Sequence, residues 1–207
     1  MDIEALSELL IAVRSRETER QIILFGSAAF LVSVPNAVPA ELDFESTLDA
    51  DLLLDPDDDA VRHDLDAELG SGSAYDAATG FHGDFADHRI SLDFFPPGWQ
   101  ARLVPVADFD GVFALSTADN AAAKLLATAS ARPNRRLGGA AADRGTKDIR
   151  TVAALLRAGL LRATELSQRV WQTLLTTRPP AIQTRAQRRS CGGRSCGLSC
   201  IPPQPRK

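Results

Sequence analysis

Two aspartates at alternate positions of a short apolar segment are well suited to metal chemistry. The segment 46–54 contains apolar and β-tolerant residues up to Asp55-Pro56, which predicts a strand at 48–54. Side chains two positions apart on a strand share a face, so Asp49 and Asp51 should project together. Adjacent carboxylates repel unless a cation lies between them, and Mg²⁺ is a natural partner. The alternative is two solvated acids at a strand end.

A Gly-Ser pair lies upstream, where an apolar strand at 22–25 is predicted to lead into a helix. Gly26 permits a tight turn and the close approach of a ligand to the backbone. Ser27 then stands where the free N–H groups of a helix start can hold a phosphate. The alternative is an ordinary turn in which Ser27 caps the helix.

A third acid lies in the segment 89–95, whose alternating pattern predicts another strand. Asp93 is in the middle of this apolar segment, where an unpaired carboxylate is costly to bury. If this strand lies beside the one that carries the aspartate pair, three carboxylates can hold cations for phosphoryl or nucleotidyl transfer. The alternative is that Asp93 faces water at the edge of the sheet.

The Gly-Ser pair, the Asp-x-Asp pair and the isolated strand aspartate, in this order, resemble the nucleotidyltransferase superfamily that includes DNA polymerase beta. Two later segments, KLLA at 124–127 and KDIRTVAALL at 147–156, make the chain similar to small bacterial nucleotidyltransferases related to AbiEii-type toxins. The resemblance extends over roughly residues 20–160.

The resemblance implies a Mg²⁺-dependent enzyme that moves a nucleotide from an NTP to an acceptor hydroxyl, for example on tRNA or a protein. It implies metal binding by Asp49, Asp51 and Asp93, with Asp93 as the base, and a nucleotide site at Gly26 and Ser27. A cognate antitoxin is a further implied partner. The alternative is a catalytically inactive fold that binds a nucleotide or a partner, since the basic residue that such toxins often carry before the first aspartate is absent.

Lys124 is the one basic residue of the apolar segment 121–127, which is predicted to be helical. If its ammonium group points to the cleft, Lys124 can neutralise a nucleotide phosphate; otherwise the side chain extends along the surface into solvent. Lys147 and Asp148 open the next predicted helix, where toxin-like members carry a similar pair. Their alternative role is helix capping and a surface ion pair.

The predicted fold is α+β, a nucleotidyltransferase-like mixed β-sheet with packed helices over residues 1–160. Apolar residues at helical spacing predict a first helix at 3–15, and an acidic run followed by the same spacing predicts another at 60–69. A loop is expected at 138–145 and a C-terminal helix at 161–177.

Residues 178–207 differ in composition from the rest of the chain. They contain seven basic residues, all three cysteines and no acid, which predicts a disordered basic tail. The cysteine spacing is not a zinc signature. Such a tail can hold RNA by counterion release, or it can be a nonfunctional end.

The overall composition, 44% hydrophobic, is sufficient for a folded core. No stretch is long enough to span a membrane, and no secretory leader pattern opens the chain, so we expect a cytoplasmic protein without a membrane partner. Neither the P-loop nor the dinucleotide-binding glycine pattern is present, which disfavours kinase-like and Rossmann functions.

Overall fold

The computed structural model describes residues 1–34, 48–130 and 140–177, and it shows an α+β fold with a five-stranded mixed sheet. A short 3-10 turn at Trp99–Arg102 precedes β4. The elements in chain order are α1 (Ile3–Arg14), β1 (Gln21–Phe25), α2 (Gly26–Ser33), β2 (Asp49–Asp55), α3 (Asp59–Leu69), α4 (Ala74–Thr79), β3 (His82–Phe85), α5 (Arg89–Phe94), β4 (Val104–Pro105), β5 (Val112–Ala114), α6 (Thr117–Ser130), α7 (Ala140–Arg157) and α8 (Ala163–Thr177).

The strands are ordered β3-β2-β1-β5-β4 across the sheet. β1 lies at the centre, antiparallel to β2 and parallel to β5. β2 also pairs in parallel with β3, and β4 pairs antiparallel with β5. The predicted mixed sheet is therefore confirmed, as are the predicted strands at 22–25 and 48–54 to within a residue.

Strand alternation divides the side chains of the sheet between two faces. One face packs on α1, α2 and α3 through residues such as Leu24 and Leu52, in a cluster with Leu6 and Leu9. The opposite face carries Ile23, Phe25 and Leu53, which pack with Phe95, Trp99, Leu115 and Ala123. Asp49 and Asp51 have the same parity as Leu53 on β2 and therefore belong to this second face.

Two predicted helices are confirmed by their bounds and by the polar groups at their ends. The helix expected at 3–15 is α1, whose start is capped by the Asp2 side chain. The helix expected at 60–69 is α3, and Asp58 accepts hydrogen bonds from the backbone N–H groups of Ala60 and Val61 at its start. An acid suits this position because its oxygen satisfies N–H groups that lack a partner within the helix.

The strand predicted at 89–95 is wrong, because this segment forms the helix α5. The helix α5 has only 6 residues, which is less than two turns and too short for a helical period to be distinguished from alternation. Pro96 and Pro97 would end a strand as well as a helix. The place beside β2 is taken by β3, a strand of four residues. The loop predicted at 138–145 is also wrong from residue 140 onward, where α7 already begins; residues 138 and 139 lie outside the described residues.

A third apolar cluster joins the C-terminal helices to α2. Phe30 of α2 packs with Ala121 of α6, Leu155 of α7 and Leu166 of α8. The basic tail predicted at 178–207 lies outside the described residues. Among the residues described, each helix is too short or too polar to cross a lipid bilayer.

Candidate metal centre

Three aspartates converge at one end of the β2–β3 pair. In the parallel register, Asp49 stands opposite His82 and Asp51 stands opposite Asp84. Because positions two apart share a face, the aspartates of both strands project from the same side of the sheet. One carboxylate oxygen of each of Asp49, Asp51 and Asp84 lies within 4.8 Å of the others. The three side chains can therefore contribute to one cation site.

The electrostatics of the cluster favour a bound cation. Burial, reinforced by the Asp49 carboxylate, raises the pKa of Asp51 from 3.8 to about 7, while Lys124 acts in the opposite direction. Loss of hydration and the Asp49 charge also raise the pKa of Asp84. A divalent cation with oxygen ligands would remove this repulsion, and three carboxylates are the hard donors that such a cation prefers. The residues present thus fit a metal ion held by oxygen ligands.

Gly26 brings the start of α2 directly against this cluster. Its φ of 65° lies in the left-handed region, and a Cβ built on it would lie 1.7 Å from Oδ2 of Asp51. A side chain at this position would be strained by the backbone conformation and would overlap Asp51, so the glycine permits the close approach of α2 to the Asp51 carboxylate. The approach of a ligand, which the sequence predicts here, stays a prediction. Ser27 is the second residue of α2 and is half-buried. The helix cap position is Phe25, so Ser27 does not cap the helix.

Lys124 is held within the protein, and it does not extend freely into solvent. Its Nζ lies 2.6 Å from Oδ1 of Asp148, and its side chain is only 15% exposed. Thr128 donates a hydrogen bond to the other oxygen of Asp148 at 3.2 Å. Both charges of this pair affect the pKa of Asp51, in opposite directions, which places the pair beside the acidic cluster. Asp148 of α7 is therefore a partner of Lys124. This differs from the helix cap or surface pair that was the alternative to a toxin-like role for Lys147 and Asp148.

Asp93 is not part of the acidic group. It lies on α5 and is exposed to solvent, because the segment that carries it is a helix and does not pair with β2. Asp84 supplies the third carboxylate in its place. The sequence signal for Asp84 is weak, since β3 has four residues and one of them is a glycine.

His82 lies on the same face of β3 as Asp84 and opposite Asp49. Its Nδ1 is 3.1 Å from a carboxylate oxygen of Asp76, which lies in α4. The nearby imidazole lowers the pKa of Asp84, against the larger effects of lost hydration and Asp49. The acidic cluster is thus bordered by an oriented histidine that the sequence did not single out.

Asn120, which the sequence analysis also missed, contacts the backbone at the Gly-Ser turn. It is completely buried, and its amide bonds to both the N–H and the carbonyl of Gly26. The neighbouring Asp119 is equally buried and pairs with Arg102 and Arg169. No short motif reveals such contacts, because the residues that meet are far apart in the chain.

Comparisons of this chain with protein-family models, with curated proteins and with solved structures found no match. The geometry and charge of the site itself are therefore the main basis for its function. That geometry joins three acids, the start of a helix and a buried lysine–aspartate pair.

Proposed function

We propose that this protein is a Mg²⁺-dependent nucleotidyltransferase that moves a nucleotide from an NTP to an acceptor hydroxyl. The observation that carries the proposal is the approach of Gly26, the first residue of α2, to Oδ2 of Asp51 within a three-aspartate cluster. A cation on the carboxylates and the N–H groups of a helix start would face the same phosphate chain. The order of the motifs in the sequence and the mixed sheet also agree with a nucleotidyltransferase-like fold.

Asp49, Asp51 and Asp84 would hold the metal, which supplies neutralisation of the triphosphate and alignment of its α-phosphorus. Ser27 and the backbone N–H groups that follow it in α2 would bind phosphate oxygens, since the N–H of Gly26 donates to Asn120. Lys124 adds positive charge near Asp51 while Asp148 fixes its position. Together these groups would orient the triphosphate and keep its α-phosphorus open to attack from one side.

The transfer itself forms one bond and breaks another. The acceptor oxygen bonds to the α-phosphorus, the bond from that phosphorus to the bridging oxygen breaks, and pyrophosphate leaves. The hydroxyl proton passes to a carboxylate, and Asp84 is suited to accept it because it is exposed and its pKa is raised. Asp84 thus takes the role that the sequence suggested for Asp93.

The acceptor that we propose is the hydroxyl of a tRNA or of a protein side chain. This choice follows from the resemblance to AbiEii-type toxins, as does a cognate antitoxin partner. The cytoplasm, which contains both NTP and nucleic acid, would supply the reactants.

The decisive experiment incubates the purified chain with α-labelled NTPs, Mg²⁺ and total tRNA. We expect label in RNA, abolished by Asp49→Ala. The matched control is Asp93→Ala, which removes an exposed aspartate outside the cluster and should leave the labelling unchanged. Label in protein or in a small acceptor would change the substrate class, whereas loss of activity in Asp93→Ala would contradict the assignment of the site.

A second candidate function is a nucleotide-binding domain without catalysis. It is favoured by the close pairing of Lys124 with Asp148, which leaves less positive charge for a phosphate. Calorimetry separates the two candidates. A catalytic site should bind NTP much more tightly with Mg²⁺ than with EDTA, whereas a degenerate site should show little dependence on the metal.

A further inference from the structure

Asn120 binds both polar groups of the Gly26 backbone. Its Oδ1 accepts a hydrogen bond from the Gly26 N–H at 2.9 Å, and its Nδ2 donates to the Gly26 carbonyl at 2.7 Å. An amide side chain can form this pair because it carries both a donor and an acceptor. A carboxylate would lack the donor and an alkyl chain would lack both. The two bonds together fix the orientation of the backbone at the start of α2.

Gly26 transmits this constraint to the acidic cluster. A Cβ on Gly26 would overlap Oδ2 of Asp51, so the backbone of α2 and the carboxylate of β2 are already in close contact. Asn120 is completely buried, which favours a single arrangement of its hydrogen bonds. Asn120 therefore sets the spacing between the first turn of α2 and Asp51.

The residue before Asn120 is held by a separate set of contacts that does not include Gly26. The buried carboxylate of Asp119 accepts hydrogen bonds from Arg102 at 2.8 and 3.0 Å and from the Ser116 hydroxyl at 2.9 Å, and Arg169 lies 3.2 Å away. Lys124 follows Asn120 by four positions, so the two side chains lie on the same face of α6. One helix face thus brings Asn120 to Gly26 and Lys124 to the vicinity of Asp51.

We propose that Asn120 is a positioning residue for the nucleotide phosphates. By holding Gly26, Asn120 would fix the distance between the first N–H groups of α2 and the three carboxylates. A metal-bound triphosphate has to bridge this distance. Small displacements of such a group reduce productive binding strongly. This inference rests on the proposed function and extends it to a residue outside the metal cluster.

The test compares Asn120→Asp with Asp119→Asn in the full chain. Asn120→Asp keeps the size and the acceptor, loses the donor to the Gly26 carbonyl and adds a negative charge, so the uncharged Asn120→Ser is measured beside it. Asp119→Asn changes a neighbour that is equally buried and binds Arg102 and Ser116. Asn120→Asp and Asp119→Asn should both lower the melting temperature. Calorimetry then measures the affinity for Mg²⁺ alone, and for ATP, CTP, GTP and UTP with saturating Mg²⁺.

In Asn120→Asp we expect NTP to bind about tenfold more weakly, as one lost hydrogen bond in a buried site implies, while the affinity for Mg²⁺ alone changes by less than about threefold. Asp119→Asn should retain the wild-type affinity for both. Asn120→Ser shortens the side chain without adding charge and should also bind NTP more weakly than the wild type does. A loss of NTP affinity confined to Asn120→Asp would indicate repulsion of the phosphates and would overturn the inference.

If the Asn120 variant loses affinity for Mg²⁺ and for NTP by the same factor, Asn120 has a purely structural role and the inference is overturned. The same conclusion follows if Asp119→Asn loses as much NTP affinity as the Asn120 variant. Unchanged NTP affinity in the Asn120 variant would overturn it as well. A wild-type chain that binds NTP equally in Mg²⁺ and in EDTA would instead refute the proposed function. The wild-type measurement therefore distinguishes the two failures.

Discussion

Asp51 experiences both burial and the charge of Asp49, which together disfavour its ionised form. Replacing it with asparagine removes one like charge and keeps the shape of the side chain. We therefore expect Asp51→Asn to melt at the same temperature as the wild type in EDTA, or at a higher one. The variant should also lose the gain in melting temperature that Mg²⁺ and NTP give the wild type, because a ligand stabilises the fold only if it binds the folded state.

The matched control for this measurement is Asp93→Asn. Asp93 is exposed on α5 and lies outside the acidic group, so its substitution should leave the Mg²⁺ effect intact. If Asp51→Asn has a much lower melting temperature than the wild type in EDTA, Asp51 is a structural hydrogen-bonding residue. The metal site would then lose its main support.

The raised pKa of Asp51 also predicts how stability depends on pH. The folded chain holds this proton up to about pH 7, whereas the unfolded chain releases it near 3.8. Between these values the folded state binds more protons, so the free energy of unfolding falls as pH rises and then levels off above about pH 7. The raised pKa of Asp84 acts in the same direction.

Thermal melts of wild type and Asp51→Asn in EDTA, from pH 4 to 8, check this prediction. The advantage of the variant should grow as pH rises toward 7 and then remain constant. Taking the difference between the two proteins cancels carboxyls such as Asp76, whose pKa is lowered and whose effect on stability has the opposite sign. A difference that does not change with pH would contradict the pKa assigned to Asp51.

At the scale of the elements, the contact between α2 and β2 depends on a single glycine. Gly26→Ala would place a methyl group 1.7 Å from Oδ2 of Asp51 and would hold an L-residue at a φ of 65°. The control is Gly80→Ala, at a φ of 78° with no atom within 4 Å of the added Cβ. The control has the backbone strain, which costs about 1–2 kcal/mol, but not the overlap.

Gly26→Ala should therefore lower the free energy of unfolding by clearly more than Gly80→Ala in urea denaturation. Shortening the facing side chain in the double variant Gly26→Ala/Asp51→Ala should recover part of the difference, since Oδ2 and Cγ are the atoms that the methyl group meets most closely. Equal losses for the two glycines would mean that α2 can move away from β2 at little cost.

The elements that the sequence predicted well have local signals. β1 and β2 each contain a short apolar run, at 22–25 and 52–54, and α3 begins at an acidic cap and ends before Gly70. These features depend on neighbouring residues and can be recognised without knowledge of the rest of the chain. The pairing of Asp49 with Asp51 on one face follows from the same local geometry.

The elements that were missed depend on distant contacts. The β3 segment HGDF has little strand propensity of its own and is stabilised by its ladder with β2. Asp84 therefore became visible as a site residue only through the strand register. Asn120 meets Gly26 across 94 positions, a contact that no local pattern encodes.

At the scale of the whole molecule, charge is divided very unevenly along the chain. Residues 178–207 hold seven of the 23 basic residues and no acid, which leaves 16 basic against 27 acidic residues, a net charge of −11, on residues 1–177. A body this acidic repels a polyanion, apart from any local site. If the acceptor is RNA, the basic segment is the natural source of non-specific attraction.

Deleting residues 178–207 tests this division. The apolar clusters of the described residues lie within residues 1–166, with partly buried neighbours up to Val170. The shortened chain should therefore melt within about 2 °C of the full one, a shift of no more than about 1 kcal/mol. Mg²⁺-dependent NTP binding should persist, because Asp49, Asp51 and Asp84 are retained.

The affinity of the shortened chain for tRNA should fall, and its dependence on salt should become weaker as phosphate contacts are lost. Unchanged tRNA affinity and salt dependence would place the RNA contacts on the folded body and leave the basic segment without a role in acceptor binding.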